Sequence, residues 1–421
     1  MSARKSAKMV DFLTDLPPNI LMEILVRLPL KTLFLSRCVC KTFLNLTSVD
    51  RHFIALHSAN ATQILAFQFG DDLTPSKLIS WADPELDIAP GFIQNFRLKP
   101  IFEAPSLGLN FVPYRTNYRY QNKFVLVNSC KGLLYFVRRH AEDERSFVCN
   151  PVTNEYFMMP SVDRETRLVF GARSMWLGYS PGSNQYKVLR LYSRVNDGPL
   201  NMGAQVLVVG SNSWRNVENT PVGRDISWDD CSATINGVLY WLDKTWKDIV
   251  FFDFERELFG EIALPAEYGE EQLSKIEFMS IGVLGGCLCF SYNVHSAPHV
   301  DIWVMRKRGN QESWSKEFVF HAVRPSGAPL YGRFRPLQVL RSGEILMQWI
   351  NYDLVCYNPR NKSLRYVGFD WLHRNPRAVG FTPSFISLKD TLSVDKVIML
   401  YVRPRYDPAL VRYISLNRIE L

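Results

Sequence analysis

The chain has 421 residues, 47% hydrophobic and 13% aromatic, which is enough for a sizeable core and too much for a disordered protein. Its formal charge of +8 is diluted: residues 1–60 carry eight Lys/Arg against four Asp/Glu, and the other 361 residues hold the remaining +4, so no clustered cationic footprint for nucleic acid is present. The longest apolar run, Ile281 to Phe290, is half the length of a membrane-spanning helix and is interrupted by glycines, which argues against a membrane span.

Residues 1–10 are small, polar and basic, with Arg4, Lys5 and Lys8, and read as a disordered, solvated tail. Asp11 and Asp15 follow at once, which argues against a signal peptide. From there to residue 57 the pattern is helical. Ile20, Leu21, Ile24, Leu25 and Leu28 fall on one side of a helix that starts at Pro17-Pro18 and is stopped by Pro29. Roughly ten to twelve residues are expected in it. Leu30 to Ser36 and the run Val39, Thr42, Phe43, Leu46 predict two more helices. Three helices in so short a stretch bury little among themselves, so an apolar face left over for another protein is expected, in the manner of helix-in-groove recognition. The competing expectation is that the same face packs on the chain's own C-terminal part.

The order Leu16-Pro17, Ile20, Ile24-Leu25, Arg27-Leu28-Pro29, Lys31, Leu33, Arg37-Cys38-Val39-Cys40-Lys41, Phe43, Asp50, Phe53 resembles the F-box. Phe43 stands where that family usually has tryptophan, which keeps the apolar bulk. The resemblance implies docking on a Skp-type adaptor and, through it, a cullin and a RING subunit. Leu16, Pro17, Ile20, Ile24, Leu25, Leu28, Pro29, Leu33, Val39 and Phe43 are the residues it assigns to the adaptor.

The character changes near residues 57–62. Beyond it, short β-type runs alternate with turns, among them Ile64 to Phe69, Leu78 to Trp81, Phe124 to Val127, Tyr186 to Tyr192, Ile249 to Phe254 and Leu354 to Asn358. Sandwich, barrel and propeller all fit that pattern, and self-similarity chooses among them. Gly132, Gly178, Gly237, Gly286 and Gly343 open similar strands at steps of 46, 59, 49 and 57 residues, close to the spacing of kelch-like blades. Asn150, Asp253 and Asn358 mark a polar turn after the partner strand in three copies, and Trp214 and Trp314 mark the start of an outer strand. Five blades are visible. Residues 63–128 and 381–421 hold strand enough for a sixth that pairs both ends of the region and removes the open edges. Six is the predicted count, with five and seven as neighbours. The predicted class is therefore α+β and multidomain: a tail over 1–10, a three-helix module over 11–57 and an all-β kelch-like propeller over 63–421.

This region also resembles the F-box-associated domain of plant F-box proteins, through Asn128-Ser129-Cys130-Lys131-Gly132, Cys149-Asn150-Pro151, Gly178-Tyr179, Tyr186-Lys187-Val188, Ser213-Trp214-Arg215, Asn236-Gly237 through Leu242, Asp301 to Met305 and Pro383 to Leu388. The two resemblances together imply a non-catalytic substrate receptor of an SCF-type ubiquitin ligase, cytoplasmic or nuclear, with an unknown protein target. A non-degradative binding protein on the same adaptor and a propeller enzyme are the alternatives.

The residues themselves point to no chemistry and no cofactor. Eight cysteines spread through apolar runs read as buried free thiols of a reducing compartment, and the three glycosylation sequons as chance. Cys287, Cys289, His295 and His299 lack the tight turn that structural zinc asks for, so no metal is expected. Asp229-Asp230 and Glu270-Glu271 read as solvated turns in place of a carboxylate pair, and no nucleophile or phosphate-loop motif is present. Arg333, Arg335, Arg403 and Arg405, with Arg164 and Arg167, sit beside aromatics. If they converge at one end of the propeller they offer a pocket for an acidic or phosphorylated segment of a target.

Overall fold

A computed structural model describes residues 16–69, 78–82, 102–103, 124–138, 145–153, 155–162, 175–193, 202–220, 232–243, 246–265, 267, 274–294, 297–307, 313–323, 330–350, 353–367, 377–392 and 398–399. The tail and Arg164, Arg167, Arg403 and Arg405 lie outside them.

Four helices come first, one more than expected: α1 (Pro18–Val26), α2 (Leu30–Ser36), α3 (Lys41–Val49) and α4 (Arg51–Asn60). Pro18 occupies the first turn of α1, where no N–H is missed, and Pro29 separates α1 from α2. The break between α3 and α4 is made by Asp50. Its backbone leaves the helical region, and its Oδ1 accepts from the Phe53 N–H at 2.9 Å as the N-cap of α4. Cys40 caps α3 through its sulfur, which accepts from the Phe43 N–H.

The strands form six sheets. Four are each drawn from one continuous stretch of chain, beginning at Met175, Ser232, Ile276 and Phe334, and a fifth, beginning at Phe124, takes four of its five strands from one stretch. We number these blades 2 to 6. Blade 1 joins the two ends: Arg377–Phe381 pairs antiparallel with Ile64–Phe69, which pairs in turn with Leu78–Ala82. The closing strand is thus 377–381 and not one drawn from 381–421. Proline at 383 cannot extend the ladder, and Ile398–Met399 adds a fifth strand to blade 2. Residues from the inner strand of each of the six sheets line one axial cavity.

The glycine repeat has a local cause. Gly132, Gly237, Gly286 and Gly343 all have φ between +77° and +85° and sit in the turn from the inner to the second strand. Gly178 differs. It lies within the inner strand of blade 3, and a side chain there would run into the ring of Phe254. The repeated turn acid or amide also recurs for one reason: Asn150, Asp253 and Asn358 each accept, through Oδ1, a backbone N–H two residues on, at 2.9, 2.9 and 3.0 Å.

Neighbouring blades are joined by side chains, because inner strands of different blades share no ladder. Gln68 of blade 1 donates to the Phe124 carbonyl and accepts from Leu126 N–H, and Asn128 of blade 2 does the same with Leu177 of blade 3. The turn after Asp253 covers the seam between blades 3 and 4. Glu255 accepts from Ser180 and from the Gly182 N–H, while Glu257 takes the ammonium of the buried Lys187 at 2.8 Å. Only Lys187 of the three charged groups is buried, and its pairing with Glu257 and with the Phe254 carbonyl is the condition for burying it at all.

Candidate functional site

Two features stand apart from the folding frame: the outer side of the helices and the axial cavity. On α1, Leu21 and Leu25 are buried at 2% exposure, while Ile20 at 50% and Ile24 at 41% stand one turn apart on the other side. Leu35 at 63% and Val39 at 49% continue this apolar surface in sequence through α2 and the turn after it, with Pro17 and Pro29 also exposed. Apolar side chains left in water within so short a stretch are the kind of surface that a contact with another protein uses.

The ten residues assigned to the adaptor therefore divide. Pro17, Ile20, Ile24, Pro29 and Val39 are exposed, Leu16 and Leu28 are half-buried, and Leu25, Leu33 and Phe43 are enclosed in the helices' own core. The last three lie on the inward side of short helices, which needs apolar residues as much as the outward side does. Leu35 is exposed and was missed, since an apolar residue alone in a seven-residue helix carries no periodic signal.

The helices are seated on the propeller by a short strap, Ser384 to Leu388. Asn150 holds it from below, its Nδ2 donating to the carbonyls of Ser384 and Ile386 at 2.9 and 2.7 Å. Glu155 accepts from Ser387 Oγ and the Leu388 N–H at 2.9 and 2.6 Å. From this mount Phe385 rises, 3% exposed, into the helices: its ring meets His57 edge-on at 4.9 Å and Phe53 and Phe34 at 6.1 and 6.0 Å, and the Arg37 guanidinium lies 5.7 Å away. Ser58 and Ser384 share a hydrogen bond across the same junction. The helices thus do pack on the C-terminal part of the chain, but through α4 and Phe34, and that contact leaves Ile20, Ile24, Leu35 and Val39 open.

His57 is 4% exposed and its Nδ1 has no hydrogen-bond partner among the described residues. Burial holds its pKa down to about 4. The unfolded chain binds this proton near pH 6.5 and the folded chain only near 4, so stability rises with pH across that window and is lost as pH falls through it. The full loss amounts to about 3 kcal/mol. Denaturant midpoints measured from pH 7 to 4 should show it, and His57→Gln should flatten that slope; an unchanged slope in the variant refutes the assignment.

The axial cavity holds about 430 Å³. Its wall includes Asn128, Lys131, Thr234 and Arg335, with Gln63 and Thr382 from the two segments that lead to the helices. Arg335 is fixed by donating to Gln348 Oε1 at 2.5 Å and to the Ala378 carbonyl. Arg333 lies outside this wall, half-buried ahead of the same inner strand, so the two arginines do not converge there. Among the described residues no group of three His, Cys, Asp or Glu is placed to hold a metal. Burial raises the thiol pKa of Cys130 and Cys356 to about 12 and pushes Cys149 and Cys289 up as well, so these sulfurs stay protonated and serve as small core residues.

The F-box domain family matches residues 13–53, and the family described as F-box associated beta propeller domain matches residues 102–385. The chain belongs to the F-box proteins with an F-box-associated propeller. An Arabidopsis thaliana F-box protein is 28% identical over 385 residues, covering 83% of this chain and 74% of its own. An F-box/kelch-repeat protein of the same plant is 23% identical over 362 residues, covering 84% of this chain and 90% of its own. F-box protein CPR1, also from Arabidopsis thaliana, is 26% identical over 245 residues, covering 52% and 57%. In this F-box protein the family pattern therefore spans both the helices that keep an open apolar side and the ring on which they are seated.

Proposed function

We propose that this F-box protein is the substrate-receptor subunit of an SCF-type ubiquitin ligase, working in the cytoplasm or nucleus. The apolar side of α1 and the turn after α2 docks on a Skp-type adaptor, which brings the cullin and RING subunits, and the propeller holds a target protein. The observation that carries this reading is the pair Ile20 and Ile24, exposed on a helix whose other side is already packed. The mechanism asks for no catalytic group in this chain. Holding a target near a charged ubiquitin-conjugating enzyme raises the effective concentration of its lysines, which is the whole of the contribution.

The test compares affinity capture by the intact chain and by an Ile20→Asp/Ile24→Asp variant in plant cells treated with a proteasome inhibitor. A protein captured by both, and ubiquitinated only with the intact chain, is the expected result. A captured protein whose ubiquitination and abundance are the same with both chains favours a non-degradative adaptor-bound role and removes the ligase reading.

A further inference from the structure

We propose that the axial cavity binds a small organic anion through a phosphate or carboxylate group. This is independent of the ligase reading, because it rests on the wall of the ring alone. All six inner strands contribute to that wall, so the concavity belongs to the rigid frame and not to a gap between loops. A volume of about 430 Å³ falls within the range of small-molecule sites.

The charge of the wall is one-signed. Lys131 and Arg335 line it, and no carboxylate does among the described residues. A concave site walled by packed strands focuses such a field and concentrates ions of the opposite sign. Both cations are oriented in advance. Arg335 is anchored on Gln348 and, across the seam to blade 1, on the Ala378 carbonyl. Lys131 sits in a tight turn at φ 39°, with its Nζ 3.8 Å from the centre of the Tyr179 ring. Thr234 adds a hydroxyl, and Val127, Val283 and Leu337 give an apolar surface for the body of the ligand. That mixture suits an anion with a carbon skeleton better than a bare inorganic ion.

The wall also contains Gln63, three residues after α4, and Thr382, two residues before the strap. An occupant touching both would tie together the two segments on which the helices are seated.

The test is calorimetric titration of the full chain at fixed ionic strength with glycerol phosphate and, separately, with citrate; glycerol is the uncharged control. Saturable one-site binding of either anion is expected, with the stronger of the two telling phosphate from carboxylate. Affinity should fall at least tenfold in Lys131→Met, an exposed position whose loss leaves the fold intact, and further in Arg335→Met. Slower amide exchange across residues 51–60 on saturation is the second expected readout. Absence of binding by both anions, or binding of the same strength in Lys131→Met, overturns the proposal; unchanged exchange with binding intact overturns the link to the helices.

Discussion

Replacing Ile20 and Ile24 together by aspartate is expected to abolish capture of a Skp-type adaptor while leaving the melting temperature of the chain where it was. Each isoleucine side chain gains about 1.5–3 kcal/mol when fully removed from water. Both are half in water in the free chain, so the helices lose little by the change, whereas the complex loses both burials and must bring two carboxylates into an apolar contact. The exposed half of each side chain amounts to about 1.5–3 kcal/mol for the pair, an affinity reduced by about tenfold to a hundredfold before the cost of the two carboxylates is added. Leu25→Asp provides the contrast. Leu25 is 2% exposed in the helices' own core, and a carboxylate there should unfold α1 and its neighbours, so that capture and the helical circular dichroism fail together. Competition binding with purified adaptor, run beside thermal melting, separates the two variants. Full capture by the Ile20/Ile24 variant would remove the adaptor face from this side of α1.

How much of this was legible in the sequence depends on what kind of cause lay behind each feature. The glycines at 132, 237, 286 and 343 announced the blades because a left-handed turn admits few other residues, and the Asn or Asp of the polar turn recurred because its side chain makes the same bond in each copy. Both are local causes and leave local marks. Gly178 has the spacing of one more copy, although its smallness answers to the ring of Phe254 in the next blade. Distance of that kind leaves no periodic trace. The fourth helix leaves no separate mark in the sequence, since Asp50 and Phe53 also close the F-box pattern; the carboxylate that stops α3 also starts α4.

The inward and outward apolar residues of α1 could not be told apart from spacing, since a short helix touched on both sides shows a broad stripe and not a narrow one. Only the packing of Leu21 and Leu25 against the other helices assigns Ile20 and Ile24 to the outside. The cavity was even less visible. Lys131 and Arg335 are more than two hundred residues apart, and closure of the ring is what brings them to one wall.

Phe385→Ala is expected to loosen the seat of the helices while sparing the adaptor face. A phenylalanine buried to this degree costs about 3–5 kcal/mol to truncate, and here the loss falls on a single junction. His57, Phe53, Phe34 and Arg37 all meet this one ring, and the strap beneath it stays pinned by Asn150 and Glu155. The blades should therefore keep their stability, whereas α4 should exchange its amide hydrogens faster and the segment 58–63 become open to proteolysis. With the ring gone, water reaches His57, whose pKa should climb from about 4 towards its ordinary value, as read by NMR titration. Adaptor binding should persist, because Ile20 and Ile24 do not touch the junction's ring stack. Ubiquitination of a captured target should nonetheless fall, since a swinging helical module spreads the target over a larger volume around the conjugating enzyme. Exchange in α4 as slow as in the parent chain, with His57 still titrating near 4, would show that the helices are held by something other than Phe385.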